Sequence, residues 1–318
     1  MKEEGIVFRT IVDVPQWPVR MQAHHRFVLL GSCFAQYIGE RFQSYGLNAV
    51  CNPLGVTYNP ESIAIQVRQA LTATAALPLF QTNGQWRCWW TGTLFSTAEE
   101  NILRKEVQDA FSSLADALRK ADFLFITLGT NVCYRLKDSG MTVANCHKMP
   151  GFHFEEVSLD KEACTNALKD MLEMLWQECP ALRVVFTVSP YRYAKYGFHG
   201  SQLAKATLLL SVDELCQLYP EKTIYFPAYE LLLDDLRDYR FYTDDMIHPA
   251  PAAISYIWQR MTENCMDKTM KQYLELYGSI RSALMHRPKQ GDTADYIAFR
   301  KETEEKGRLL REKYGIHL

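Results

Sequence analysis

The chain has 318 residues, 47% of them hydrophobic and 23% charged, with a formal net charge of −2. That is enough for one large α/β domain, and it lacks the basic excess expected of a partner for nucleic acid or an anionic membrane. Nine cysteines, an odd number with no Cys-x-x-Cys pair, argue against a disulfide framework and a thiolate metal site.

The opening residues MKEEGIVFRTIVDVPQWP lack the apolar stretch and cleavage site of a secretory leader. No apolar run approaches the ~20 residues that span a bilayer. The expectation is therefore a cytoplasmic protein. The first apolar run, Phe27–Leu30, reads as a strand that ends in Gly31-Ser32-Cys33 and a helix-like segment. Ala49–Asn52 is a weaker strand, followed by Pro53-Leu54-Gly55. Asn59-Pro60-Glu61 has the form of an N-cap with proline at the first helical position, and Ile63, Val67, Ala70 and Leu71 continue at helical spacing. Residues 72–98 carry Thr82-Asn83-Gly84 and then Trp86, Trp89 and Trp90, the pattern of a hairpin or irregular insertion. The tryptophans suit either packing of that hairpin or stacking on a sugar ring.

Phe123–Leu128 is the next strand and leads into Gly129-Thr130-Asn131; Asp138-Ser139-Gly140 then marks a second hairpin within residues 133–145. Cys164, Ala167, Leu168, Met171, Leu172 and Leu175 form a helical stripe, as do Leu208, Val212, Leu215, Cys216 and Tyr219. Strands Val184–Val188 and Ile224–Phe226 lie after the first and second of these, and Val184–Val188 runs into Ser189-Pro190-Tyr191-Arg192. From about residue 265 the chain turns charged and helical without strands. We read residues 1–265 as the α/β domain and 266–318 as a helical extension packed on it. Continuous apolar strands alternating with helices specify a mainly parallel sheet of five strands with helices on both faces.

In such a sheet, ligands bind beyond the carboxyl ends of the strands, so the polar residues there are the candidates. Ser32 suits an N-cap or a nucleophile, which needs a base and an orienting group. Asp245-x-x-His248 has the spacing to supply both. The Ser32 and Gly55 amides and the Asn131 side chain are candidate oxyanion donors. Cys33 is a rival nucleophile, but consecutive helical side chains point about 100° apart, so Ser32 and Cys33 cannot face one base together. Asn145, His147 and His199 are candidates to line the pocket, His147 and His199 equally suiting structural roles. Arg192 suits either a substrate anion or a salt bridge within the rim. The pattern implies no metal and no organic cofactor.

Gly31-Ser32-Cys33-Phe34-Ala35 resembles the motif that names the GSCFA family, which is similar to the SGNH (GDSL-like) hydrolases. NPLGVTYNP at 52–60, VANCHKMP at 143–150, GFHGSQLAKATLLL at 197–210 and RDYRFYTDDMIHPAP at 237–251 resemble bacterial members too. The resemblance implies a flavodoxin-like three-layer α/β/α sandwich and ester hydrolysis through a catalytic serine matched by Ser32. It matches Gly55 and Asn131 to the oxyanion hole, and Asp245 and His248 to the rest of the triad. The sequence departs from it where the usual Gly-Asp-Ser becomes Gly-Ser followed by Cys33, and where Tyr193 replaces an expected histidine after Arg192. The expected substrate is a small-molecule or glycan ester, such as an acetylated glycan. The alternatives are a catalytically silent scaffold that grips a saccharide or protein partner, and an acyltransferase using the same triad.

Overall fold

The computed structural model describes residues 9–73, 76–286 and 293–317. Residues 1–8, on which part of the leader reading rests, lie outside them, as do residues 74–75 of the first insertion and 287–292 and 318 of the helical extension. In chain order, β1 (Phe27–Gly31), α1 (Cys33–Ser44), β2 (Ala49–Cys51) and α2 (Pro60–Thr72) come first. The hairpin β3 (Leu79–Thr82) and β4 (Gln85–Cys88), α3 (Glu100–Lys120), β5 (Phe123–Leu128), and the strands β6 (Val132–Leu136), β7 (Thr142–Val143) and β8 (Phe154–Ser158) follow. Then come α4 (Lys161–Glu178), β9 (Arg183–Val188), α5 (Gly197–Leu218), β10 (Thr223–Tyr225), the single turn α6 (Ala228–Glu230), α7 (Pro251–Cys265), α8 (Lys268–Met285) and α9 (Ala294–Lys313).

Five strands form one parallel sheet in the order β10-β9-β5-β1-β2. This is the flavodoxin-like order, whose topological switch point lies between β1 and β5. The expected α/β/α sandwich is therefore the observed fold. Its layers follow from the two-residue period of strands. Val28 and Leu30 of β1, with Leu124, Ile126 and Leu128 of β5, join one core with Ile63, Val67, Leu168 and Leu208 of the helices on that face. Phe27, Leu29, Phe123 and Phe125 point the other way, into a core with Phe34, Ile38, Phe42, Ile257, Trp258 and Tyr273. A strand apolar on both faces is thus a strand with a helix layer on each side. Met270, Tyr273 and Tyr277 of α8 are buried in that second core.

Both expected insertions are sheets. The Asn83-Gly84 turn takes positive φ at both residues, as a two-residue hairpin requires, and β3 pairs antiparallel with β4. In the second insertion β6 pairs with β7 across the Asp138-Ser139-Gly140 turn and also with β8, a third strand that the hairpin pattern did not include. Trp89 and Trp90 are buried, Trp89 stacking on Phe80 at 3.6 Å, so these aromatics pack the hairpin. Among the described residues no helix is long and apolar enough to cross a membrane.

Candidate functional site

The β1–α1 junction sits at the switch point and can be built only with glycine. Gly31 has φ +128°, and a Cβ there would lie 2.2 Å from the Thr127 carbonyl oxygen. Ser32 follows as the N-cap of α1: it is extended, 1% exposed, and its Oγ accepts the Phe34 N–H at 3.3 Å. Its own N–H donates to the Thr127 carbonyl at 3.1 Å, continuing the β1–β5 ladder. Hydroxyl and amide are both committed to holding strand and helix together. Cys33, one residue on, lines a cavity of about 250 Å3 together with Tyr58, Asn59, Thr130, Tyr191 and His248. Ser32 thus serves as the cap, while Cys33, the first residue of α1, lines the cavity.

His248 comes from the 242–249 loop, which follows β10 and α6 in the chain. Its Nδ1 is 2.5 Å from Asp245 Oδ2. Asp245 Oδ1 accepts the backbone N–H groups of Ile247 (2.8 Å) and His248 (3.0 Å) and the Thr243 hydroxyl (2.7 Å). Those donors, led by the His248 N–H and then its ring, hold the Asp245 carboxyl well below the usual carboxylate range. The i,i+3 spacing works because Asp245 folds a turn around its own carboxylate and presents it to the imidazole. The Tyr191 ring lies 4.6 Å from that of His248. Arg192 ties the loop down, its N–H donating to the Ile247 carbonyl and its guanidinium to the Met246 carbonyl, both at 3.0 Å.

The remaining candidates separate into those near the cavity and those spent elsewhere. Asn145 lines the cavity. The Asn131 NH2 donates to Ser158 Oγ (3.1 Å) and the Leu159 carbonyl (2.6 Å), pinning β8 to the sheet, so it faces away from the expected oxyanion position. The Gly55 N–H closes a turn onto the Asn52 carbonyl at 2.8 Å, and its Cα face abuts Gly92, where a Cβ would meet backbone at 2.8 Å. His147 is 5% exposed, its Nε2 bonded to the Cys88 carbonyl, and burial pushes it down to about 4. His199 is exposed on the first turn of α5. Arg192 lines a separate groove of about 420 Å3 with Asp234, Arg237 and Tyr239.

Two further donors, the Cys33 N–H and the Asn59 Nδ2, belong to residues that line the cavity. The Cys33 N–H stands at the positive end of a 12-residue helix with no backbone acceptor among the described residues. Asn59 caps α2 through Oδ1, which accepts Ser62 N–H at 2.8 Å, while its Nδ2 makes no hydrogen bond among the described residues. The N-cap signal identified Asn59; only the fold brings that asparagine to the cavity wall. Burial pushes the Cys33 thiol up, opposed by the N–H groups of Cys33 and Phe34 and by the charge of Lys205. Among the described residues no group of three His, Cys, Asp or Glu side chains is placed to hold a metal ion.

No curated protein matches the chain. Among solved structures it is similar to an acetyl xylan esterase, Est2A, from the rumen bacterium Butyrivibrio proteoclasticus, at 14% identity and a TM-score of 0.37 over 84% of this chain. The chain covers 65% of that protein's length, less than two thirds of it. Residues 26–261 match the GSCFA family, a span that runs from β1 with its Gly-Ser-Cys junction into α7, the helix that follows the His248 loop. The chain belongs to the GSCFA family.

Proposed function

We propose that this chain is an acyl-ester hydrolase in which Cys33 is the nucleophile, His248 the general base and Asp245 the group that orients it. The observation that carries the reading is that Cys33 and His248 line one cavity while Asp245 holds the far nitrogen of the imidazole. The reading keeps the base and orienting residue expected from the sequence and moves the attacking atom from Ser32 Oγ to Cys33 Sγ. His248 Nε2 takes the thiol proton as sulfur attacks the ester carbonyl, and the tetrahedral oxygen lies toward the Cys33 N–H and Asn59 Nδ2. Collapse breaks the C–O bond, and the imidazolium returns its proton to the departing alcohol. Water, deprotonated by His248, then attacks the thioester, and sulfur leaves as thiolate and regains the proton. The sum is ester plus water giving acid plus alcohol.

The small cavity, walled by Tyr58, Tyr134, Tyr191 and Val132, suits a short acyl group with a polar alcohol at the mouth. The test compares two adjacent substitutions in p-nitrophenyl acetate hydrolysis. Cys33→Ala is expected to lower kcat/KM by about 10³-fold or more, whereas Ser32→Ala keeps it within about tenfold and lowers stability by about 1 kcal/mol through loss of the cap. The opposite pattern would return the nucleophile to Ser32, and full turnover in both variants would refute the reading.

A further inference from the structure

Two pieces of chain supply much of the lining of the cavity that holds Cys33 and His248. Val132, Tyr134, Val143 and Ala144 belong to the β6–β7 insertion or follow it directly, and Tyr191 and Tyr193 to the loop after β9. These side chains are largely apolar, the surface an acyl chain would contact. Tyr134 stands opposite Glu156 in the antiparallel β6–β8 register, so both project from one face of that strand pair.

The single turn Ala194–Tyr196, between β9 and α5, meets them there. Lys195 Nζ donates to Glu156 Oε1 at 2.5 Å and also to the Tyr134 hydroxyl. The Tyr196 hydroxyl donates to Glu156 Oε2 and lies 3.4 Å from the Tyr134 hydroxyl. One ammonium thus bridges both strands of the insertion, and one carboxylate takes two donors from the loop. Behind this clasp the rings run in series, with centroids 5.6 Å apart from Tyr196 to Tyr193, 6.2 Å from Tyr193 to Tyr191 and 4.6 Å from Tyr191 to His248. The Lys195 and Glu156 side chains are 44% and 42% exposed, so the pair adds little to global stability. Its effect is local. Among the described residues, the hydrogen bonds that join the insertion to the 190–197 loop all fall on Tyr134 or Glu156.

We propose that Lys195 and Glu156 are positioning residues that set the acyl-length limit of this site: by clasping the insertion to the loop after β9, they hold Tyr134 and Tyr193 against the cavity and close it to chains much longer than acetyl. The proposal rests on ester hydrolysis at this cavity. Without the ammonium, the Tyr134 hydroxyl and the Glu156 carboxylate lose the donor they share, and the two walls are free to part.

The first test is the ratio of kcat/KM for p-nitrophenyl butyrate to that for p-nitrophenyl acetate. Lys195→Met and Glu156→Gln are each expected to raise it by about tenfold, within the range by which an apolar wall discriminates a methylene, and Lys195→Arg to stay close to wild type. A merely structural loss lowers both rates together, so an unmoved ratio in the folded variants overturns the proposal. The second test needs no turnover: alkylation of Cys33 by iodoacetamide and by the bulkier N-benzyl iodoacetamide, followed by mass spectrometry in the full chain. The rate of the bulky reagent relative to the small one is expected to rise about tenfold in Lys195→Met. Equal relative rates in wild type and variant refute the clasp. Wild-type protein that hydrolyses neither ester yet shows the alkylation shift would end the proposed function and leave the clasp standing.

Discussion

His147 directly follows the cavity-lining residues Asn145 and Cys146, and His248 lines the same cavity itself, yet their surroundings differ in kind. His147 sits in a box of Phe80 and Trp89 at centroid distances of 5.4 and 5.9 Å, its Nε2 on a backbone carbonyl and its Nδ1 without a partner. A proton added there has no anion to meet and no water to face. His248 is at the rim, its side chain 37% exposed and its Nδ1 on a carboxylate that is itself held by three further donors. A proton taken by that ring meets a fixed negative charge. The two imidazoles therefore differ in the chemistry of the partner and in access to water, and the residue type says nothing about either.

Removing the rim imidazole should break this contrast most visibly. His248→Ala is expected to cost about 10³-fold or more in kcat/KM for p-nitrophenyl acetate while thermal stability changes little, since the side chain is partly exposed. Asp245→Asn keeps the shape of the turn but loses the charge opposite the ring. A fall of about 10²-fold is expected, with the circular dichroism melt close to wild type. Equal activity in wild type and Asp245→Asn would show that the carboxylate only builds the turn.

His147 sharpens the contrast from the other side, through stability. Its pKa is lowered from 6.5 to about 4, so the unfolded chain binds a proton that the folded one refuses. The stability it contributes is fully present above pH 6.5 and is lost as pH falls toward 4. Chemical denaturation of the wild type should show about 2 kcal/mol lost between pH 7 and pH 5 from this residue alone. His147→Gln should flatten that acid limb and leave ester turnover at pH 7 within a few-fold of wild type. A limb of unchanged slope would mean that other groups bind those protons.

Much of the fold was readable because its signals are local. Continuous apolar runs marked all five strands of the parallel sheet, and Asn59-Pro60 and Asn83-Gly84 marked a helix start and a hairpin turn whose geometry those residues favour by themselves. Strand β8 has no such signal because Phe154–Ser158 reads FEEVS, mostly exposed and polar at a sheet edge, and carries neither an apolar run nor an alternation. The 100–120 helix carries its signal only as a sparse stripe, Leu103, Val107, Leu114 and Leu118, along its buried face.

At the site the sequence determined the chemistry on offer: a hydroxyl beside a thiol at the end of the first strand, and a carboxylate three residues before an imidazole. Which of the first two looks into the cavity was decided by tertiary structure. The Ser32 amide is spent on Thr127, 95 positions away, and the Gly55 and Asn131 donors are spent on the Asn52 and Leu159 carbonyls. Hydrogen-bond capacity is finite, and which donors remain free is a property of the packed whole. A residue name can show that a group is able to donate or attack, but only the three-dimensional neighbours reveal whether it is already engaged.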